Sequence, residues 1–146
     1  MMETMLVATD GSETARTAVC EAAELAAGTG ARVHVMTAYV PLQGRVDTDA
    51  IADAEPDDWH AGQDSAAKSI LGEACAAMRT RGVIPESHAR PGDPADAILD
   101  LAEELETDLI VIGNKGLTGG RRFLLGSVPN KVSHHAPCSV LIVHTA

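Results

Sequence analysis

Leu6-Val7-Ala8-Thr9-Asp10-Gly11-Ser12 is the stretch on which the fold turns. A short apolar run stops at a turn, and Ser12 stands where its hydroxyl can cap a helix. Beyond it Ala15, Ala18, Val19, Ala22, Leu25 and Ala26 recur at spacings of three and four, with Glu13, Arg16, Glu21 and Glu24 largely between them. That is the pattern of a helix with one apolar face. Gly28 to Gly30 closes it, and Val33 to Val40 follows as a buried strand. Strand, helix and strand within about forty residues make one parallel crossover unit.

The pattern then repeats. Residues 41–58 carry Pro41, Gly44, Pro56, Glu55 and five Asp without an apolar period, and read as a long loop. Ala67, Ile70, Leu71, Ala74, Ala77 and Met78 mark a second helix that stops near Gly82. Val83 to Arg90 reads as a strand, and Pro85 within it assigns that strand to a sheet edge. In Pro91-Gly92-Asp93-Pro94, Asp93 caps and Pro94 opens a third helix, Pro94 to Leu105. Leu109-Ile110-Val111-Ile112 is a continuous strand ending at Gly113. Residues 114–127 form a Gly-rich loop, Val128 to His135 a short helix and Ser139 to Val143 the last strand.

Continuous apolar strands alternating with helices predict an α/β fold: a doubly wound, five-stranded parallel sheet with about four helices on its two faces. Right-handed crossovers and the edge role of the third strand favour the order 3-2-1-4-5. In such sheets ligands sit at the carboxyl ends of the strands where the winding reverses, here the first and the fourth. Thr9-Asp10 and Gly113 stand at those two ends.

The 146 residues, 15.2 kDa, suit a single domain spanning 1–146. A net charge of -10 opposes a nucleic-acid polymer as partner, and Tyr39, Trp59 and Phe123 are too few aromatics for base stacking. No apolar run approaches the roughly 20 residues of a membrane span. Met1-Met2-Glu3-Thr4 lacks a basic region ahead of an apolar core, so the expected location is cytoplasmic, with no membrane partner. Cys20, Cys75 and Cys138 are odd in number and far apart, and read as small buried hydrophobes in a reducing compartment. The charge is uneven. Seven basic and 21 acidic residues up to position 108 give -14, whereas Lys115, Arg121, Arg122 and Lys131, with no acid, give +4 beyond it.

That positive segment surrounds the loop Gly113-Asn114-Lys115-Gly116-Leu117-Thr118-Gly119-Gly120-Arg121-Arg122-Phe123-Leu124-Leu125-Gly126-Ser127. Glycines let backbone N–H groups approach and cradle an anion, and Ser127 adds a hydroxyl beside a helix N-terminus. A phosphate-bearing ligand is the natural guest. The loop is no Walker A motif, and the first strand is not followed by a dinucleotide fingerprint. A Gly-x-Ser-x-Gly elbow is missing too. The histidines suggest no metal set: His134 and His135 diverge on a helix, and His34 and His144 lie in or beside strands.

Gly113, Gly116, Gly126 and Ser127 fit the spacing Gly-x2-Gly-x9-Gly-Ser/Thr, which resembles the nucleotide-binding signature of the universal stress protein family. The resemblance runs through the chain, including Val7-Ala8-Thr9-Asp10-Gly11-Ser12, Gly92-Asp93-Pro94, Leu125-Gly126-Ser127-Val128 and His135-Ala136-Pro137-Cys138. It implies an adenine nucleotide alpha hydrolase-like fold and a bound adenine nucleotide, ATP in members with this signature. Gly113 and Gly116 would then approach the ribose and phosphates, and Gly126, Ser127 and Val128 would hold the phosphates. Ala8, Thr9 and Ala38 look like adenine-side contacts, with Ile112, Asn114 and Arg122 completing the set. Asp10 resembles the family's acidic residue near the nucleotide and its Mg²⁺.

The resemblance also implies a homodimer through the last strand, Ser139 to Val143. Loops of the form Gly-Asn-x-Gly-Leu and Leu-Leu-Gly-Ser-Val-Pro resemble a branch associated with cyclic AMP, so ATP, AMP and cyclic AMP stay open. Pro129 departs from the family pattern and removes one N–H from the helix start. The expected role is a stress or regulatory switch. No base is placed to orient an attacking water, so binding is favoured over a slow Mg-dependent ATPase or autophosphorylating activity.

Overall fold

Alternate residues of the first strand point into two different cores, and this organises the whole molecule. The computed structural model describes residues 2–39, 56–114 and 127–144. Among them are strands β1 (Thr4–Ala8), β2 (Arg32–Tyr39), β3 (Glu86–Pro91), β4 (Leu109–Gly113) and β5 (Ser139–Val143), with helices α1 (Glu13–Thr29), α2 (Pro56–Arg79), α3 (Pro94–Glu104) and α4 (Ser127–His135). The strands form one parallel sheet in the order β3-β2-β1-β4-β5, as expected.

Met5 and Val7 of β1, Val33 and Val35 of β2 and Val111 of β4 face α1 and α2, meeting Ala18, Val19, Ala22, Leu71 and Met78. Leu6, Met36, Ile110 and Ile112 face the other way, toward Ile98 and Leu101 of α3 and Val132 of α4. This period-two alternation gives β1, β2 and β4 two buried faces. The alanines on the inner face of α1 let that helix lie close to the sheet, and Gly30, at φ +74°, ends it with its N–H on the Ala26 carbonyl at 2.7 Å.

Three expectations need correction. The second helix begins at Pro56, so the residues 56–58 assigned to a loop are helical; residues 40–55 lie outside the described residues. The proline and paired aspartates there suit a helix start, where a missing N–H costs nothing and negative charge is favoured. The third strand starts at Glu86 rather than Val83, and Pro85 is buried just ahead of it. Among the described residues β3 is nevertheless the edge, because it pairs with β2 alone. Of the cysteines, Cys75 joins the core, while Cys20 and Cys138 are only half-buried; all three are free thiols.

Candidate functional site

The turn after β1 is held by its own side chains. Thr9 N donates to the Met36 carbonyl at 2.9 Å, extending the β1–β2 ladder by one residue. Thr9 Oγ1 accepts from Gly11 N at 3.1 Å, and Asp10 Oδ1 accepts from Ser12 N at 2.9 Å. Ser12 then caps α1, its Oγ accepting from Ala15 N at 3.2 Å. The last two bonds satisfy N–H groups that the start of α1 would leave orphaned. Together they fix the Asp10 side chain at the mouth of the space between β1 and β4.

That space is an open cleft of about 540 Å³, counting the solvent that fills its mouth. Ala8, Thr9 and Asp10 come from the end of β1, Met36, Thr37 and Ala38 from the end of β2, and Ile112 and Gly113 from the end of β4. Pro94 and Ile98 of α3 and Val128 and Pro129 of α4 close the far wall, with Ala15 of α1 at one side. Apolar side chains dominate, and Thr9, Asp10 and Thr37 are the polar ones. Such a lining can take a flat aromatic ring and leave directional hydrogen bonding to strand-end backbone and a few side chains.

The far wall is positioned by charge as well as packing. Asp93 caps α3 by accepting from Asp96 N at 3.1 Å, and Pro94 occupies the first turn. Lys131 of α4 reaches back to Asp96 Oδ1 at 2.8 Å and Asp93 Oδ2 at 3.7 Å. The hydrogen bond that Lys131 donates to Asp96 holds the Lys131 pKa above its ordinary value. Val132, fully buried beneath, seats α4 on the sheet.

Seven of the residues expected at the site, Ala8, Thr9, Asp10, Ala38, Ile112, Gly113 and Val128, line this one cleft. Asn114 is turned instead toward β5: its N–H meets the Val143 carbonyl at 2.9 Å, and its Nδ2 lies 3.4 Å from His144 Nδ1. Ser127 is the first residue of α4 and exposed, beside the cleft rather than in its lining. Gly116, Arg122 and Gly126 lie outside the described residues. Met36, Thr37, Ala15, Pro94, Ile98 and Pro129 were not anticipated. Met36 and Thr37 follow from reading the whole end of β2, as Ala38 does. Ile98 carries no local signal and arrives only through packing, and Pro129, marked in the sequence for its missing N–H, has its ring brought into the lining by the docking of α4.

A model of the universal stress protein family matches residues 1–144. A universal stress protein of Mycobacterium tuberculosis is 37% identical over 145 residues, spanning 98% of this chain and 97% of that protein. Among solved structures, a universal stress protein in complex with cAMP superposes with a TM-score of 0.75 at 37% identity, covering 99% of each chain. The universal stress protein from Archaeoglobus fulgidus in complex with dAMP superposes with a TM-score of 0.66 at 28% identity, covering 99% of this chain and 97% of its own.

Proposed function

The chain belongs to the universal stress protein family, and from that premise we propose that it is an adenine-nucleotide-binding regulator whose ligand occupies the cleft at the ends of β1, β2 and β4. The observation that carries this reading is the coincidence of an apolar cleft with the point where the winding of the sheet reverses. Two related structures hold cAMP and dAMP, and that supports adenine as the base.

In this reading Ala8, Ala38 and Ile112, with Met36 and Ile98, enclose the base and exclude water. Thr9 and Thr37 supply polar contacts near it. Gly113, Asn114 and Gly116 pass along the ribose and phosphates, while Gly126, Ser127, Val128 and Arg122 hold the phosphates. ATP is the ligand that the Gly-x2-Gly-x9-Gly-Ser spacing favours. Mg²⁺ fits the donors present: it binds through one or two carboxylates, phosphate oxygens and water, and Asp10 offers one carboxylate at the mouth of the cleft. Cyclic AMP is the second reading, supported by the 37% identity to a structure that contains it. The protein acts in the cytoplasm as a switch, because a ligand that prefers one conformation shifts the population toward it.

Calorimetry of the purified chain with ATP, AMP and cyclic AMP, with and without Mg²⁺, tests the proposal. ATP is expected to bind most tightly, with Asp10→Asn removing the Mg²⁺ dependence. Ala38→Phe, which fills the cleft, should weaken binding at least about tenfold, or 1.4 kcal/mol, without loss of circular dichroism. Preference for cyclic AMP would replace ATP by the second reading. No binding of any of the three overturns both. Mg²⁺-dependent phosphate release that Asp10→Asn abolishes would instead make the protein an ATPase.

A further inference from the structure

Among the described residues, one cluster of metal-ligating side chains lies outside the cleft. In the β2–β3 ladder His34 stands opposite Glu86, and Met36 opposite His88. Residues two apart on a strand share a face, so His34, Glu86 and His88 all lie on the side of the sheet that α3 covers, where Met36 packs. His34 Nδ1 is 3.0 Å from His88 Nε2 and 3.4 Å from Glu86 Oε2. One ligand atom from each of the three residues lies within 4.8 Å of the other two.

A tetrahedral Zn²⁺ with nitrogen and oxygen ligands ~2.0–2.1 Å away holds neighbouring ligand atoms ~3.3 Å apart. The two separations from His34, 3.0 Å to His88 and 3.4 Å to Glu86, already stand close to that spacing. We propose that His34, Glu86 and His88 bind a divalent transition-metal ion of the Zn²⁺ class, which fastens the edge strand β3 to β2. Two imidazoles and one carboxylate select such an ion over Mg²⁺ or Ca²⁺, which prefer oxygen.

The surroundings agree. His34 is 5% exposed, so its ring is held in place, while the Glu86 side chain is 70% exposed and leaves an open position for water. Burial is the largest influence on both imidazoles and favours their neutral, ligating form. Of the charged groups nearby, Arg90 is engaged by Glu104 of α3 at 3.1 Å, and Arg32 lies on the same strand as His34. Metal entry replaces the ring-to-ring hydrogen bond: the donating ring moves its proton to its other nitrogen, so the two imidazoles release no net proton.

β3 has a single neighbour in the sheet, and a shared ion would add a second tie between the two strands. This site stands apart from the nucleotide reading. The test uses the full chain stripped with a chelator and titrated with Zn²⁺ against a competing dye. Expected are one Zn²⁺ per chain, a tetrahedral visible spectrum with Co²⁺, and a rise in thermal stability. Removing an outer-shell partner of a metal site costs about 10–100-fold in affinity, so Glu86→Gln and His88→Gln, which remove ligands, should each weaken binding at least about tenfold. A His134→Gln/His135→Gln double variant should bind as the parent does. No saturable uptake, or an affinity equal to the parent's in Glu86→Gln and His88→Gln, or loss only in the His134→Gln/His135→Gln variant, overturns the site and leaves His34 and His88 a hydrogen-bonded pair.

Discussion

Gly11 concentrates the residue-scale constraints of the cleft. Its φ is +83°, and a Cβ built on it would stand 2.9 Å from Ile70 Cγ1. Alanine there meets backbone strain and a neighbour in α2, so Gly11→Ala should lower stability by about 1–3 kcal/mol in a urea titration. Because Asp10 Oδ1 accepts from Ser12 N across Gly11, nucleotide affinity should fall with it. Unchanged stability would remove the argument. The sequence marks Gly11 as a turn residue, since Thr-Asp-Gly-Ser between a strand and a helix can hardly be anything else. It does not mark Ile70 as the neighbour, because that contact exists only once α2 has packed. The same holds within the site: Ala8, Thr9, Asp10 and Gly113 are legible from strand ends, whereas Ile98 and Pro129 enter the lining through the docking of α3 and α4.

At the scale of elements, β1 and β4 are pinned where they begin. Asp108 Oδ2 accepts from Glu3 N at 2.8 Å and Thr4 N at 2.9 Å, while Asp108 N donates to the Thr4 carbonyl at 2.9 Å. The two N–H bonds, Glu3 first, hold the Asp108 carboxyl below its ordinary value of 3.8. A depressed folded-state pKa means that the unfolded chain binds the proton more readily, so stability from this group is fully present above 3.8 and is lost as pH falls through the lower folded value. Asp108→Ala should therefore flatten the acid limb of the stability profile and speed hydrogen exchange at the start of β1. An unaltered acid limb would deny the carboxylate this role. β3 teaches a different lesson about elements. Its edge position was legible, but the reason was not Pro85, which precedes the strand; it is that, among the described residues, β2 is its one neighbour in the sheet. α2 was legible only where its apolar period is strong, from Ala67 onward, and its polar first turns gave no such signal.

For the whole molecule, alternate residues of β1 belong to both cores, so neither helical layer can leave without exposing the strand that the other depends on. β5 closes one edge, and Leu141 there is 38% exposed. An open apolar edge invites another strand, and on that ground we propose that two copies pair along Ser139 to Val143. In sedimentation the parent should run as a dimer of the 15.2 kDa chain, and Leu141→Glu as a monomer; a monomeric parent would discard the dimer. The overall charge of -10 conceals a basic segment after position 108 on an acidic body, which suits a small anionic ligand better than a polymer. By itself the sequence determined the fold class and the strand order, and it pointed to the end of the sheet at which the cleft opens. Periodicity, caps and the right-handed crossover rule are local or generic, and they leave few topologies to choose from. Only the tertiary structure decided what lies across the cleft from those strand ends, and that His34 meets Glu86 and His88. Such contacts join residues distant in the chain through strand register and helix docking, which no spacing in the sequence encodes.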